Sequence, residues 1–170
     1  MRVVAGTAGG RRLKAPPGRQ VRPTSERVRE ALFAALGSLG AVEGARVLDL
    51  FAGTGALGIE ALSRGAASAT FVDDDAASIR AITGNLAATG LKGTVVRSDA
   101  LRFLGSSPGA FDLALVDPPY AFDEWERLLT TLSAPLAALE SRHPIEVIPG
   151  WAVVRTRRYG DTLLTIVRRC

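Results

Sequence analysis

The residues Asp117-Pro118-Pro119-Tyr120 could carry chemistry on a planar amine. An exocyclic amine on a ring shares its lone pair with the ring. To attack an electrophilic carbon it must be gripped by its two N–H groups and aimed. The Asp117 carboxylate and the Pro118 carbonyl can each accept one of them. Paired prolines fix φ and keep the backbone extended, so a carbonyl is displayed instead of being spent inside a helix. Tyr120 offers a ring face on which a base drawn out of its stack can lie, worth about 1–3 kcal/mol. Chemistry of this kind draws its rate from positioning and needs no strong general base. The alternative reading of the tetrapeptide is a proline-rich turn closing a strand.

A second constellation is the loop Asp49-Leu50-Phe51-Ala52-Gly53-Thr54-Gly55-Ala56-Leu57-Gly58. Gly53, Gly55 and Gly58 fit the G-x-G-x-x-G spacing, which lets a backbone turn tightly and approach a ligand closely. Asp73 closes the next apolar run, where an acid can accept hydrogen bonds from ribose hydroxyls. NAD and S-adenosylmethionine both fit such a loop, as does a ligand-free turn. Charge favours the second. Asp49 would repel an anionic pyrophosphate, but it would attract an ammonium by about 4 kcal/mol at ~4 Å and an effective dielectric of ~20, before desolvation. Phe51 and Thr54 lie within the same loop. Asp99, followed by Ala100, could accept from an adenine amino group, cap the helix that follows, or do both.

These groups need a scaffold that brings strand ends together. Arg46–Leu50, Ala69–Asp73, Thr94–Arg97 and Phe111–Asp117 read as short buried strands. Helices are expected over Gly55–Ser63, Ala76–Thr89, Ala100–Leu104 and Asp123–Leu132. This alternation predicts an α/β fold, a mostly parallel twisted sheet with helices on both faces. Ahead of it, Thr24 or Ser25 caps a helix reaching about Gly40. The apolar runs after Trp151 flank Tyr159-Gly160-Asp161 so closely that they must form a C-terminal antiparallel hairpin. Leu136–Glu140 reads either as a strand or as a helical turn. Residues 1–25 are expected to form a basic arm or small hairpin, and 26–170 a single domain.

The 170 residues suit one domain. The net charge of +4 hides an uneven partition: residues 1–30 sum to +6, residues 31–150 to −6 and residues 151–170 to +4. Basic ends suggest a polyanionic partner, and an acidic middle suggests a cationic ligand. One cysteine (Cys170) and one histidine (His143) leave almost nothing from which to build a disulfide, a metal site or a histidine-based triad, so no metal is expected. No segment reads as a signal peptide or a membrane span, so a cytoplasmic protein without membrane contact is expected. Arg11, Arg12, Lys14, Arg19 and Arg22, interleaved with Gly and Pro, could order on an RNA phosphate backbone. Arg155, Arg157 and Arg158 could add to that surface.

With both loops in hand, the chain resembles the RsmD family of bacterial 16S rRNA guanine-N2 methyltransferases. The resemblance rests on Arg2-Val3-Val4-Ala5-Gly6, Gly10-Arg11-Arg12-Leu13, Arg22-Pro23-Thr24, Arg27 to Phe33, Leu48 to Gly55, Asp117 to Tyr120 and Tyr159 to Thr162. It implies a Rossmann-like class I methyltransferase with seven strands. It also implies S-adenosylmethionine as cofactor, and methylation of guanine-966 N2 in 16S rRNA of the small ribosomal subunit; apart from the resemblance, a monomer is expected. By motif match, Asp49, Gly53, Gly55, Asp73 and Asp99 would hold the cofactor, Asp117 to Tyr120 the target base, and Arg22-Pro23-Thr24 would lie near the site. The family usually has Glu where this chain has Asp73. A DNA adenine-N6 methyltransferase, or a non-catalytic RNA-binding assembly factor, are the alternatives.

Overall fold

In the computed structural model, residues 1–17, 25–106 and 108–170 are described. Arg19, Arg22 and Thr24, predicted to meet RNA, lie outside them. The chain forms α1 (Glu26–Ser38), β1 (Arg46–Leu50), α2 (Ala56–Ser63), β2 (Ser68–Asp73), α3 (Ala76–Thr89), β3 (Thr94–Arg97), α4 (Ala100–Gly105), β4 (Leu113–Val116), α5 (Trp125–Thr131), β5 (Leu136–Ser141), β6 (Trp151–Tyr159) and β7 (Thr162–Arg169). The strand order is β3-β2-β1-β4-β5-β7-β6. Strands β1 to β5 are mutually parallel, and β7 runs antiparallel to both β5 and β6.

The period of two along each central strand builds two apolar layers. Val47, Phe71, Leu113 and Leu115 face one way and pack with Leu32, Phe33 and Leu36 of α1, Ile59 of α2 and Ile82 of α3. Leu48, Leu50, Val72, Ala114 and Val116 face the other way, with Leu101 and Leu104 of α4 and Leu128 and Leu129 of α5. The order reverses at β1, whose neighbours β2 and β4 are reached by connections leading to opposite sides. In a sheet of this topology a ligand crevice opens at that reversal, beyond the carboxyl ends of the strands.

Several expected boundaries shift. Leu136–Ser141 is a true strand, although it is poor in β-branched residues. Its Leu136, Ala137, Ala138 and Leu139 are all buried between β4 and β7, so tertiary pairing overrides weak propensity. The fourth strand contracts to Leu113–Val116, because Asp112 turns outward to receive Arg46 and Asp117 leaves the ladder before Pro118. The helix expected from Asp123 begins at Trp125, behind a Glu124 whose side chain makes no cap bond. Ser25 caps α1, accepting from Val28 N at 3.2 Å.

Residues 1–13 fold back in a short antiparallel pairing: Arg2 bridges Arg12, Val3 N donates to Arg11 O at 2.9 Å, Gly10 N to Val3 O at 2.8 Å and Leu13 N to Met1 O at 2.9 Å. They are also held to the body. Val3, Ala8 and Leu13 are buried. The buried Glu60 carboxylate accepts from Val4 N at 2.9 Å and Ala5 N at 3.1 Å. Asn85 accepts from Lys14 N at 2.8 Å and donates to its carbonyl at 2.9 Å. The fully buried Arg29 donates to the Arg2 carbonyl at 2.5 Å, with the charges of Glu60 and Glu26 opposing its desolvation. These bonds fix the start of the chain beside the sheet edge where the crevice opens.

Candidate active site

A cleft of about 400 Å³ lies at the carboxyl ends of β1, β2, β4 and β5, a size suited to a small-molecule cofactor. Its wall is strongly acidic. Asp49 of β1, Asp73 and Asp74 at the end of β2, Asp99 before α4, Asp117 after β4 and Glu140 of β5 all line it. Among the described residues no cluster has the make-up to hold a metal ion. So many carboxylates around one cavity repel one another, and a cationic occupant relieves that repulsion.

Strand periodicity explains the placement of Asp49. It shares a face with Val47, so its side chain points under α2, where Gly58 N donates to it at 2.9 Å. It is 1% exposed. Burial pushes its pKa up to about 8, against the lowering effect of the Gly58 bond, and the nearby Asp73 charge pushes the same way. An ammonium placed here would restore the ionised form.

The loop after β1 is shaped by three left-handed backbone positions, one of them Gly53 at φ 58°. Gly55 caps α2 at φ 81°, a conformation that suits glycine. Phe51 adopts φ 58° without being glycine. Its ring is clamped edge-on by Phe122 at 5.2 Å, and Phe122 in turn meets Trp125 at 5.1 Å. Because Phe122 follows the proline tetrapeptide, this aromatic stack ties the loop after β1 to the loop after β4. Asp73 receives Gly53 N and Asp75 N, each at 2.9 Å, and so holds the glycine loop against β2. A carboxylate can accept about four hydrogen bonds, so a ribose hydroxyl is still within its capacity. Asp99 does cap α4, accepting from Arg102 N at 2.9 Å, and it lines the cleft as well.

The tetrapeptide Asp117 to Tyr120 lines the same cleft. Phe122 N donates to the Pro119 carbonyl at 2.9 Å, closing a tight turn. Among the described residues no donor reaches the carbonyl of the buried Pro118. Tyr120 is 52% exposed, and the Arg142 guanidinium lies 4.0 Å from its ring centroid.

This geometry has counterparts in known proteins. A family model described as "Conserved hypothetical protein 95" matches residues 1–168. A Bacillus subtilis protein provisionally named rRNA methyltransferase YlbH is 42% identical over 137 residues, 78% of this chain and 73% of that one. The Escherichia coli ribosomal RNA small subunit methyltransferase D is 41% identical over 121 residues, which are 71% of this chain but only 60% of the relative. The chain belongs to the RsmD family. A solved Escherichia coli structure, yhhF, provisionally named a methyltransferase, superposes with a TM-score of 0.88 at 34% identity, covering 99% of this chain and 97% of its own. The mostly parallel sheet expected from the alternating elements, and the class I methyltransferase fold that the resemblance implies, are the ones observed.

Within this RsmD-family chain, most residues expected at the cofactor site do line the cleft: Asp49, Phe51, Gly53, Thr54, Asp73, Asp99 and Ala100. Gly55 and Gly58 do not. Gly55 packs toward Ile82, and Gly58 lets α2 approach the sheet: a Cβ built there would sit 2.4 Å from the buried Phe71 ring and 3.0 Å from an Asp49 carboxylate oxygen. Helix propensity would favour alanine at position 58, but the clash outweighs it. We expect Gly58→Ala to destabilise the protein by about 2 kcal/mol and to lower Tm by roughly 4–8 °C. An unchanged melting curve would show that Phe71 yields without cost.

Met1, Asp74, Ser98 and Glu140 also line the cleft and were not singled out as site residues. Glu140 carried a usable signal. It is an acid near the end of an apolar run, like Asp73 and Asp117. Met1 gave none, because its place depends on the tethering of the N-terminal residues; its Sδ lies 3.9 Å from Thr54 Oγ1. Of the described basic residues expected to meet RNA, Arg11, Arg12 and Lys14 are all exposed, and Arg11 donates to the Ala88 carbonyl at 3.1 Å.

Proposed function

We propose that this chain transfers a methyl group from S-adenosylmethionine to the N2 amine of a guanine, guanine-966, in 16S rRNA of the small ribosomal subunit. The observation that carries this reading is one cleft lined both by six carboxylates, Asp117 among them, and by Pro118, whose carbonyl no donor reaches among the described residues. The names of the Bacillus subtilis and Escherichia coli relatives support an rRNA substrate.

S-adenosylmethionine would supply an electrophilic methyl on a sulfonium. Asp49 and the Gly53–Thr54 backbone would hold its amino-acid end, Asp73 its ribose and Asp99 its adenine amine. Asp117 and Pro118 O would each accept one N–H of the guanine amine. Two acceptors fix the nitrogen and turn its lone pair toward the methyl. Tyr120 would support the extruded base, and the exposed Arg11, Arg12 and Lys14, with Arg19, Arg22 and Thr24, would contact the RNA. The enzyme acts as a monomer in the cytoplasm on this reading. Among the described residues no helix is long and apolar enough to cross a membrane.

With methyl-labelled S-adenosylmethionine and small subunits from cells lacking this protein, label should enter 16S rRNA. With duplex DNA offered in a parallel reaction, label in the DNA and none in the RNA would favour the adenine-N6 alternative and overturn this reading.

A further inference from the structure

We propose that Arg142, Arg157 and Arg158 form a phosphate-binding rail that grips the RNA strand flanking the base brought to Tyr120; this rests on the RNA reading above. The rail follows from register. Glu140 pairs with Leu164, which pairs with Arg157, and Ser141 pairs with Leu163, which pairs with Arg158. Strand β6 runs in the same direction as β5, so its carboxyl end lies on the sheet edge that carries the cleft. Two strand spacings put Arg157 and Arg158 about 10 Å from Glu140, which lines that cleft. Arg142 follows β5 directly and already covers one face of Tyr120 at 4.0 Å. Successive strand residues point to opposite faces, so Arg157, beside Leu32 and Ala35 of α1, and Arg158 flank the sheet edge from its two sides; with Arg142 they make a basic lane around the cleft-side end of the hairpin.

Three further observations fit a polyanion on this lane. Ala152 to Arg158 are all exposed, although they belong to a strand hydrogen-bonded to its neighbour. None of Arg155, Arg157 and Arg158 has an ion-pair or hydrogen-bond partner among the described residues. No acid interrupts β6; the nearest in sequence are Glu146, and Asp161 in the hairpin turn. Unpaired guanidinium groups suit phosphate oxygens, which they can meet through two parallel N–H bonds. Phosphate contacts fix register without reading bases, so the rail would place the strand while Asp117 and Pro118 act on the nucleotide. The competing role is local: charges on an edge strand also prevent sheets from joining edge to edge.

Salt dependence separates these roles. Binding of a labelled mixed-sequence single-stranded RNA would be measured across a salt series for the full chain. The double variant Arg157→Ala/Arg158→Ala should flatten the plot of log affinity against log salt by about 1.4, near 0.7 per lost phosphate contact. S-adenosylmethionine affinity should not change, and Arg157→Lys/Arg158→Lys should recover most of the slope. An unchanged slope with increased self-association would overturn the rail and leave only edge protection. If the unsubstituted protein binds no RNA at any salt concentration, the RNA reading fails and the rail with it.

Discussion

Asp117→Ala should lower the rate of methyl transfer by about 10²–10³-fold, the usual cost of removing one preorganised partner of the reacting group, while S-adenosylmethionine binds as before. The reason lies in how the amine is held. With two acceptors, both N–H directions are fixed and the lone pair is aimed. With Pro118 O alone, the amine rotates about one hydrogen bond. Asp117→Asn should fall between, because its side-chain carbonyl can still accept one N–H although the charge is gone. The measurement is single-turnover transfer to small subunits, with cofactor binding followed separately by calorimetry. Wild-type transfer in Asp117→Ala would show that another group aims the amine. Asp117 follows β4, the neighbour of β1, and is not placed against the cofactor's amino-acid end, so a parallel loss of cofactor affinity would point to a collapsed loop instead of a lost acceptor.

Asp49 gives the second large effect, and its sign with pH is fixed. Burial raises its pKa from 3.8 to about 8 in the ligand-free protein. A raised folded-state value means that the folded protein binds the proton more tightly than the unfolded chain does. The resulting stability is complete below about pH 4 and is lost as pH rises through about 8. An ammonium on the ligand requires the ionised form, so binding below pH 8 must release a proton. Cofactor affinity should therefore rise between pH 5.5 and 7.5, by up to about tenfold per pH unit. Asp49→Asn keeps the acceptor for Gly58 N but removes the charge. It should weaken binding by about 10–100-fold and flatten the pH dependence. Calorimetry in buffers of different ionisation enthalpy would count the proton released. A pH-independent affinity for the unsubstituted protein would mean that Asp49 is ionised before the ligand arrives, or does not meet it.

Much of this was legible in the residues because local rules carried it. Asp49, Asp73 and Asp117 each close or nearly close an apolar run, and a parallel sheet brings such ends to one edge. The loop glycines were also legible, but not their separate jobs. Gly53 faces the cleft, whereas Gly58 serves helix–sheet contact, and only the three-dimensional position of Phe71 distinguishes them. Strand β5 stayed ambiguous with a helical turn because Leu136 to Leu139 carry no β-branched residue; its pairing with β4 and β7 decides the matter. The Phe51–Phe122–Trp125 stack was likewise invisible, since residues 51 and 122 meet only after the sheet forms. The uneven charge partition acquires a physical basis: the acidic middle includes six carboxylates around one cleft, and the basic C-terminal end includes an exposed strand level with it.

The central claim is the identity of the methylated atom. Small subunits from cells lacking this protein, treated with it and S-adenosylmethionine, should yield N2-methylguanosine on nucleoside mass spectrometry of their 16S rRNA, and Asp117→Ala should yield about a hundredfold less or lower at matched early times. N6-methyladenosine, or no new methylated nucleoside despite bound cofactor, would contradict the account.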